Sequence, residues 1–449
     1  MKSIIKQKKA FFSIMIAGLL AVYNPLFSNT EQGVVFAVFS LGIFLWVTEW
    51  IPQWVVSIGI LVAFLLSGAS PNLVFSFPQS KIFLLIVAAY LLTAGIRRAG
   101  IADYISFVMV QKFCKRTVDY IAMAFVLGIV LIFLIPQPFP RVLIIGEIYR
   151  TALAQTSLLK QQKEIIFYSV FIAGTVTSLL FLNGDILANH VAFEMAGIPI
   201  DSFMWMKYMT IPTIGATITV FLVFCLTFKS SIDFQRVGLP LFQTGERSAT
   251  FNRTLYIMAF VIVMWMLEPI HSIPPAYVAA SGVIIMLITK SIHLEEIKAV
   301  NGKLLLFLTA QFAIGRVLLD VGIIDTFKQW LLRFLPDANA TYYIFALAII
   351  VMSLHMMLGS IITVMTVIIP TLLSLTSGIL HPETLVLVVC VTTYFHIFMP
   401  YHQITTLVGY QEGYYTQRIM LRLGISLTVA TLLSLFLFYL PWWSICGII

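Results

Sequence analysis

Apolar runs long enough to enter a bilayer recur from Phe11 to Leu440, and no polar segment between them is large enough to hold a core of its own. Lipid offers backbone amides and carbonyls no hydrogen-bond partner, so runs of this length span as helices that satisfy themselves. The chain is therefore expected to be an all-α polytopic membrane protein, a single transmembrane domain without a catalytic appendage. Composition agrees. Of 449 residues, 60% are hydrophobic and 10% charged, and the mean hydropathy is +1.00, which no soluble domain sustains over this length.

A net charge of +8 would suggest a nucleic-acid partner in a soluble protein. Here the Lys and Arg gather in short loops such as Lys112 to Arg116 and Arg247 to Arg253, the pattern of cytoplasmic loops, so none is expected. The N-terminus, MKSIIKQKKAFFSIMIAGLL, shows no small-residue cleavage site and reads as a first membrane helix held by a cytoplasmic Lys cluster. An integral, multi-pass protein of the cell (inner) membrane with a cytoplasmic N-terminus follows. The four cysteines, Cys114, Cys225, Cys390 and Cys446, form no C-x-x-C pair and take no redox or metal role.

One apolar segment, Gly174 to Glu194, is interrupted at Asn183, Gly184 and Asp185. Asn-Gly-Asp favours a turn, and a turn at membrane depth frees carbonyl and amide groups that must face protein or a water-filled cavity. Secondary transporters build midplane sites from broken helices of this kind.

Further interruptions follow a pattern. After the runs Gln32 to Glu49, Trp54 to Gly68 and Ile82 to Ile96, the third short enough to lie partly in the interface, Val118 to Ile135 meets Pro136-Gln137-Pro138-Phe139-Pro140-Arg141. Three prolines in five residues do not continue a helix, and Val142 to Ala154 is too short to cross, so a re-entrant hairpin with its tip near Gln137 is expected. Residues 230–252, the most polar connection, divide the chain. The second half then echoes the first: Trp265, Glu268, Ile273 and Pro274 repeat Trp46, Glu49, Ile51 and Pro52, and Leu304 to Asp325 repeats Ile82 to Asp103 with the same Gly-Ile-x-Asp ending. Leu354 to Pro370 answers the proline-rich hairpin, and Phe398 to Gly413 answers the Asn183 break. Paired halves with paired broken segments point to inverted repeats. The expected division is residues 1–31 for an N-terminal tail and first helix, 32–229 and 253–449 for the repeats, and 230–252 for their connection.

The paired TEWIP and EPIHSIP segments, each followed by a short apolar run and an interrupted one, resemble the divalent anion:sodium symporter family, carriers of di- and tricarboxylates or sulfate. The resemblance covers most of the chain after about Gln32. It implies a re-entrant hairpin and a broken transmembrane helix in each repeat, alternating access, and a homodimer. Family members place Ser-Asn-Thr at each hairpin tip, touching substrate carboxylate and helping to form a sodium site, with Pro ten residues on. Here Ser360 and Pro370 keep that spacing, Ile361 and Ile362 replace Asn and Thr, and Pro136-Gln137-Pro138 takes the first motif's place with Gly146 for the later Pro. The family's breaks survive as Thr177 with Asn183-Gly184-Asp185, and as Pro400 followed by His402, Gln403, Thr405 and Thr406.

The function expected is secondary active transport of small anions, most simply di- or tricarboxylates, with a proton or Na+ as coupling ion and no other cofactor. Arg141 offers a guanidinium matched to a carboxylate, and Gln137, Pro138, Asn183, Ser360, Thr363, His402, Thr405 and Thr406 are the remaining candidate substrate contacts. Thr177, Asn183, Gly184, Asp185 and Gln403 are the candidate ion-coupling residues. Asp185, an intramembrane carboxylate near an Arg, has the chemistry of a proton carrier and, with His402, favours the proton. The bland alternatives are a helix cap for Asp185, a salt bridge to Glu147 or Asp185 for Arg141, and an interfacial place for His190. No pair among His355, His396 and His402 has metal-ligand spacing with carboxylate support, so no metal site is expected. The rival functions are an uncoupled anion exchanger, a membrane enzyme acting on a lipid-linked substrate and a non-transporting receptor.

Overall fold

A computed structural model describes residues 29–48, 50–154, 156–232, 250–323, 340–376 and 379–449. The first helix expected before residue 29, Glu49, Asp325 and most of the 230–252 connection lie outside these residues. Among the described residues every regular element is helical, and five helices are long and apolar enough to cross a membrane: Lys81–Ala99, Ser202–Thr227, Gly302–Asp320, Thr341–Leu358 and Gln417–Cys446.

In the first half, α1 (Thr30–Thr48) and α2 (Gln53–Leu66) meet at a bend where Pro52 caps α2 and the indole of Trp46 donates to Gln53 O at 3.3 Å. The third run forms α3 (Lys81–Ala99), started by the Ser80 hydroxyl on Phe83 N and ended by Gly100 at φ 69°. This corrects the expected interfacial placement. Arg97 and Arg98 belong to the helix, so it reaches 19 residues, and its apolar face packs inside the protein. Next come α4 (Ile101–Phe113), α5 (Thr117–Val130), α6 (Pro138–Ala154), α7 (Lys160–Val176), α8 (Ile186–Ala196) and α9 (Ile211–Thr227).

The second half runs α10 (Phe251–Met266), α11 (Pro275–Ile288), α12 (Gly302–Asp320), α13 (Ala340–Leu358), α14 (Ile361–Thr376), α15 (Pro382–Phe395), α16 (Ile404–Gln411), α17 (Gln417–Ser434) and α18 (Leu440–Cys446). At the α10–α11 bend Pro274 caps α11 and Trp265 donates to Pro275 O at 3.2 Å, the bond that Trp46 makes in the first half. Gly322, like Gly100, takes a positive φ, 75° against 69°. Packing is reciprocal as well: α2 lies on α12, and α11 on α3.

The expected interruptions are real breaks in the backbone. Between α5 and α6 the chain passes through a 3-10 turn, Leu131–Phe133, and a tip at Leu134–Gln137. Pro138 and Pro140 fall in the first turn of α6, where a missing amide costs no helical bond. Between α7 and α8 two 3-10 turns, Thr177–Leu179 and Leu182–Asp185, replace α-helix. Gly184 is required there, because a Cβ would stand 2.1 Å from Ser178 O. In the second half α13 and α14 are joined through Gly359 and Ser360, and α15 and α16 through His396–Gln403, with a 3-10 turn at Pro400–His402.

Candidate functional site

Arg141, on the first turn of α6, is fully buried. Its Nη1 donates to Ile135 O and to Gly184 O, each at 3.1 Å, and its Nη2 to Gly174 O at 3.0 Å and Ser178 Oγ at 2.7 Å. One side chain therefore fastens the first tip to both sides of the first break. Carbonyls that a break releases need donors at membrane depth, and Arg141 supplies them at Gly184 O and, alongside Ser178 Oγ, at Gly174 O. The guanidinium thus occupies a cage of carbonyl oxygens of the kind that holds a cation in broken-helix transporters. Glu147, one partner considered for it, pairs with Arg150 instead, at 2.6 Å.

Asp185 caps α8 by accepting from Ala188 N at 3.2 Å. Its carboxylate also lies within electrostatic range of Arg141, Tyr394 and Tyr90. A charge from the first break therefore sits beside the C-terminal end of α15, close to the second break. The helices that flank the two breaks also touch, Thr175 at the end of α7 and Thr405 at the start of α16 sharing a hydrogen bond of 2.8 Å. Backbone joins tip to break too, Ile186 N donating to Pro136 O at 3.1 Å.

Around the second tip and break, Gln311 of α12 donates to Thr363 Oγ1 at 2.5 Å. Thr406 Oγ1 donates to Pro400 O and Gln403 O, Tyr415 OH to Thr406 O, and Gln403 Nε2 to Thr393 O at 3.4 Å. Ser360 is half-buried at the tip, and Thr363, Thr405 and Thr406 are buried. Thr177 is buried and donates to Ala173 O, which closes the last turn of α7. Gln137 is 5% exposed and its Nε2 finds no partner.

The candidates thus divide. Gln137, Pro138, Arg141, Thr177, Gly184 and Asp185 gather at the first tip and break, and Ser360, Thr363, His402, Gln403, Thr405 and Thr406 at the second. Asn183 faces elsewhere. It lines a cavity of about 120 Å³ whose other walls, Ile132, Phe133, Phe181, Leu182, Met206, Ile262, Trp265 and Met266 with Ser202, are almost wholly apolar. His190, expected in the interface, is buried on α8, a correction that follows from α8 packing against α3, α14 and α15.

Sequence reasoning passed over Ser178, Tyr394 and Gln311. Gln311 sits within a largely apolar run, and Ser178 and Tyr394 beside threonines; a polar residue on a buried helix was the available signal. The three histidines of the second half are also close together, His355, His396 and His402 each offering a nitrogen within 4.8 Å of the others. Separations of 41 and 6 residues hid that cluster from any reading by spacing.

Helices broken at facing positions inside an apolar bundle define a membrane transporter. The sequence pattern described as the sodium:sulfate symporter transmembrane region matches residues 6–449, and the chain belongs to that family. It is an integral membrane protein and a secondary anion transporter, which excludes the lipid-linked enzyme reading. A curated relative, YflS of Bacillus subtilis (strain 168), provisionally named a malate transporter, is 22% identical over 333 residues, 70% of each chain. Among solved structures the fold is similar to the YdaH transporter of Alcanivorax borkumensis, described as having an unusual topology, with TM-score 0.52, 13% identity and coverage of 84% of this chain and 86% of that one.

Proposed function

We propose that this chain carries small di- or tricarboxylates by alternating access, binding the anion where the two tips and two breaks converge. The observation that carries the reading is the contact between the two halves at their breaks: Thr175 bonds Thr405, and Asp185 lies within electrostatic range of Tyr394. Gln137 Nε2, unpaired and buried, and the hydroxyls of Ser360 and Thr363 are assigned to the anion. Arg141 supplies positive charge to the site from within the first half; its Nη donors are taken, and its buried Nε has no partner. The dicarboxylate assignment draws support from the name of YflS. The matching bends at Trp46 and Trp265 support a division into two repeats, 32–229 and 253–449, turned against one another.

Coupling is assigned to a cation, the proton ahead of Na+. The family's description favours sodium, but in the first half the carbonyls that would receive it are occupied by Arg141. Asp185 remains as a carboxylate able to exchange a proton between the two breaks. A fixed guanidinium in place of a mobile ion also favours a second reading, uncoupled exchange of one anion for another. Uptake of labelled malate, succinate, citrate and sulfate into proteoliposomes, without a gradient but with anion preloaded, tests the substrate. Exchange of a di- or tricarboxylate, competed by the others, is expected. Movement of sulfate alone, or of none of the four, would overturn the carboxylate assignment.

A further inference from the structure

His355 lies one turn before the second tip, Gly359 N donating to its carbonyl at 2.9 Å, while His396 and His402 lie in the second break. All three are buried, at 0%, 4% and 0% exposure. Their rings are neighbours: centroids are 4.4 Å apart for His355 and His402, 5.5 Å for His396 and His402, and 5.8 Å for His355 and His396. Both nitrogens of His355, Nδ1 of His396 and Nε2 of His402 have no hydrogen-bond partner. Leaving a buried polar atom unpaired costs about 1–3 kcal/mol, and here one nitrogen of each ring lies within 4.8 Å of the others. Packing alone would favour apolar side chains at these positions.

We propose that His355, His396 and His402 form a binding site for a divalent transition-metal ion of the zinc class, held by three imidazole nitrogens with a fourth position open to water or a carboxylate oxygen. Imidazole is a ligand suited to Zn, Ni and Cu, and three protein ligands with one open position is the arrangement of exchangeable zinc sites. His402 Nδ1 lies 3.3 Å from His396 O, and donation there leaves the Nε2 lone pair free to bind metal. Phe398 N also lies 3.3 Å from Nδ1, which admits the other tautomer in the free protein; metal selects the first. Zn–N bonds of about 2.0–2.1 Å place tetrahedral ligands roughly 3.4 Å apart, so the widest separation of 4.8 Å must close by about 1.4 Å. Rotation about the broad χ2 torsion of histidine supplies that closure.

The group contains no carboxylate or thiolate, so a bound ion keeps its full charge and attracts an anionic oxygen at the open position. Because His355 is on the last turn of α13, just before the tip, and the other two are in the break, the ion also ties that helix end to the break and holds them in one relative position.

Titration with Co2+ of the full chain, purified without a polyhistidine tag, tests the site. One Co2+ per chain is expected, with the visible absorption of a four-coordinate ion, displaced by Zn2+. His355→Ala and His402→Ala should each weaken binding by more than about 100-fold, beyond what loss of an outer partner causes. His381→Ala, at an exposed histidine, should leave it unchanged. X-ray absorption at the metal edge of the wild-type protein should show three imidazoles, and needs no variant to fold. Absence of Co2+ from the wild type, or a hydrated-ion spectrum persisting in the variants as an adventitious ion only, would overturn the proposal.

Discussion

Arg141 is a fully buried charge, and the first break offers it carbonyl oxygens at Gly174 and Gly184; each offsets the other's desolvation. Replacing it with Gln strands those oxygens, since hydrogen bonds to charged groups contribute about 1.5–3 kcal/mol each. Arg141→Gln should therefore lower unfolding stability by at least ~3 kcal/mol, read by thermal unfolding in detergent. An unchanged midpoint would show that the carbonyls pair elsewhere. Gly184→Ala places a methyl against Ser178 O, and overpacking of this kind costs about 1–3 kcal/mol. It should impair transport more than Gly59→Ala, whose added carbon meets nothing within 4 Å; equal activity of the two would contradict the close approach. The sequence revealed Arg141 as a charge out of place, but not what it held. Three of its four partners lie 33, 37 and 43 positions away, and the carbonyls among them carry no side-chain signature.

Among the elements, the breaks were the most legible part of the chain. Pro, Gly and Asn at membrane depth leave a helix few options, so the tip near Gln137 and the turn at Asn183 emerged where the residues demanded them. The apolar run Ile82 to Ile96 understates α3, because Lys81 and the basic last turn, Arg97 and Arg98, carry the helix on to its cap at Gly100. Contact between the breaks was not legible, since Thr175 and Thr405 stand 230 residues apart. Their hydroxyls are 2.8 Å apart, so a Thr175→Cys/Thr405→Cys pair is placed for a disulfide. Oxidation should cross-link it and stop transport until a reductant is added, measured by protection from maleimide and by uptake. After oxidation, two maleimide-reactive thiols more than the four native cysteines supply would show that these positions do not meet. Trp46→Phe and Trp265→Phe each lose one bond to the start of the next helix, worth about 1 kcal/mol. Similar losses are expected in thermal unfolding; a large cost in one half alone would argue against a shared bend.

Over the whole molecule, the halves interlock rather than sit side by side. The α2–α12 and α11–α3 contacts cross between them, α9 packs on α17, and Thr213 bonds Tyr439 at 2.8 Å. In the transport cycle we propose, a tip and its break move together against this frame and expose the site to alternate sides, the anion crossing with its coupling ion. The measurement that tests this most directly is accumulation of labelled succinate in proteoliposomes under an inward proton gradient, compared with an inward Na+ gradient and with neither. Accumulation above the outside concentration under the proton gradient, lost in Asp185→Asn, is the predicted result. Equilibration to the outside level under every condition, or accumulation that Asp185→Asn leaves intact, would contradict it.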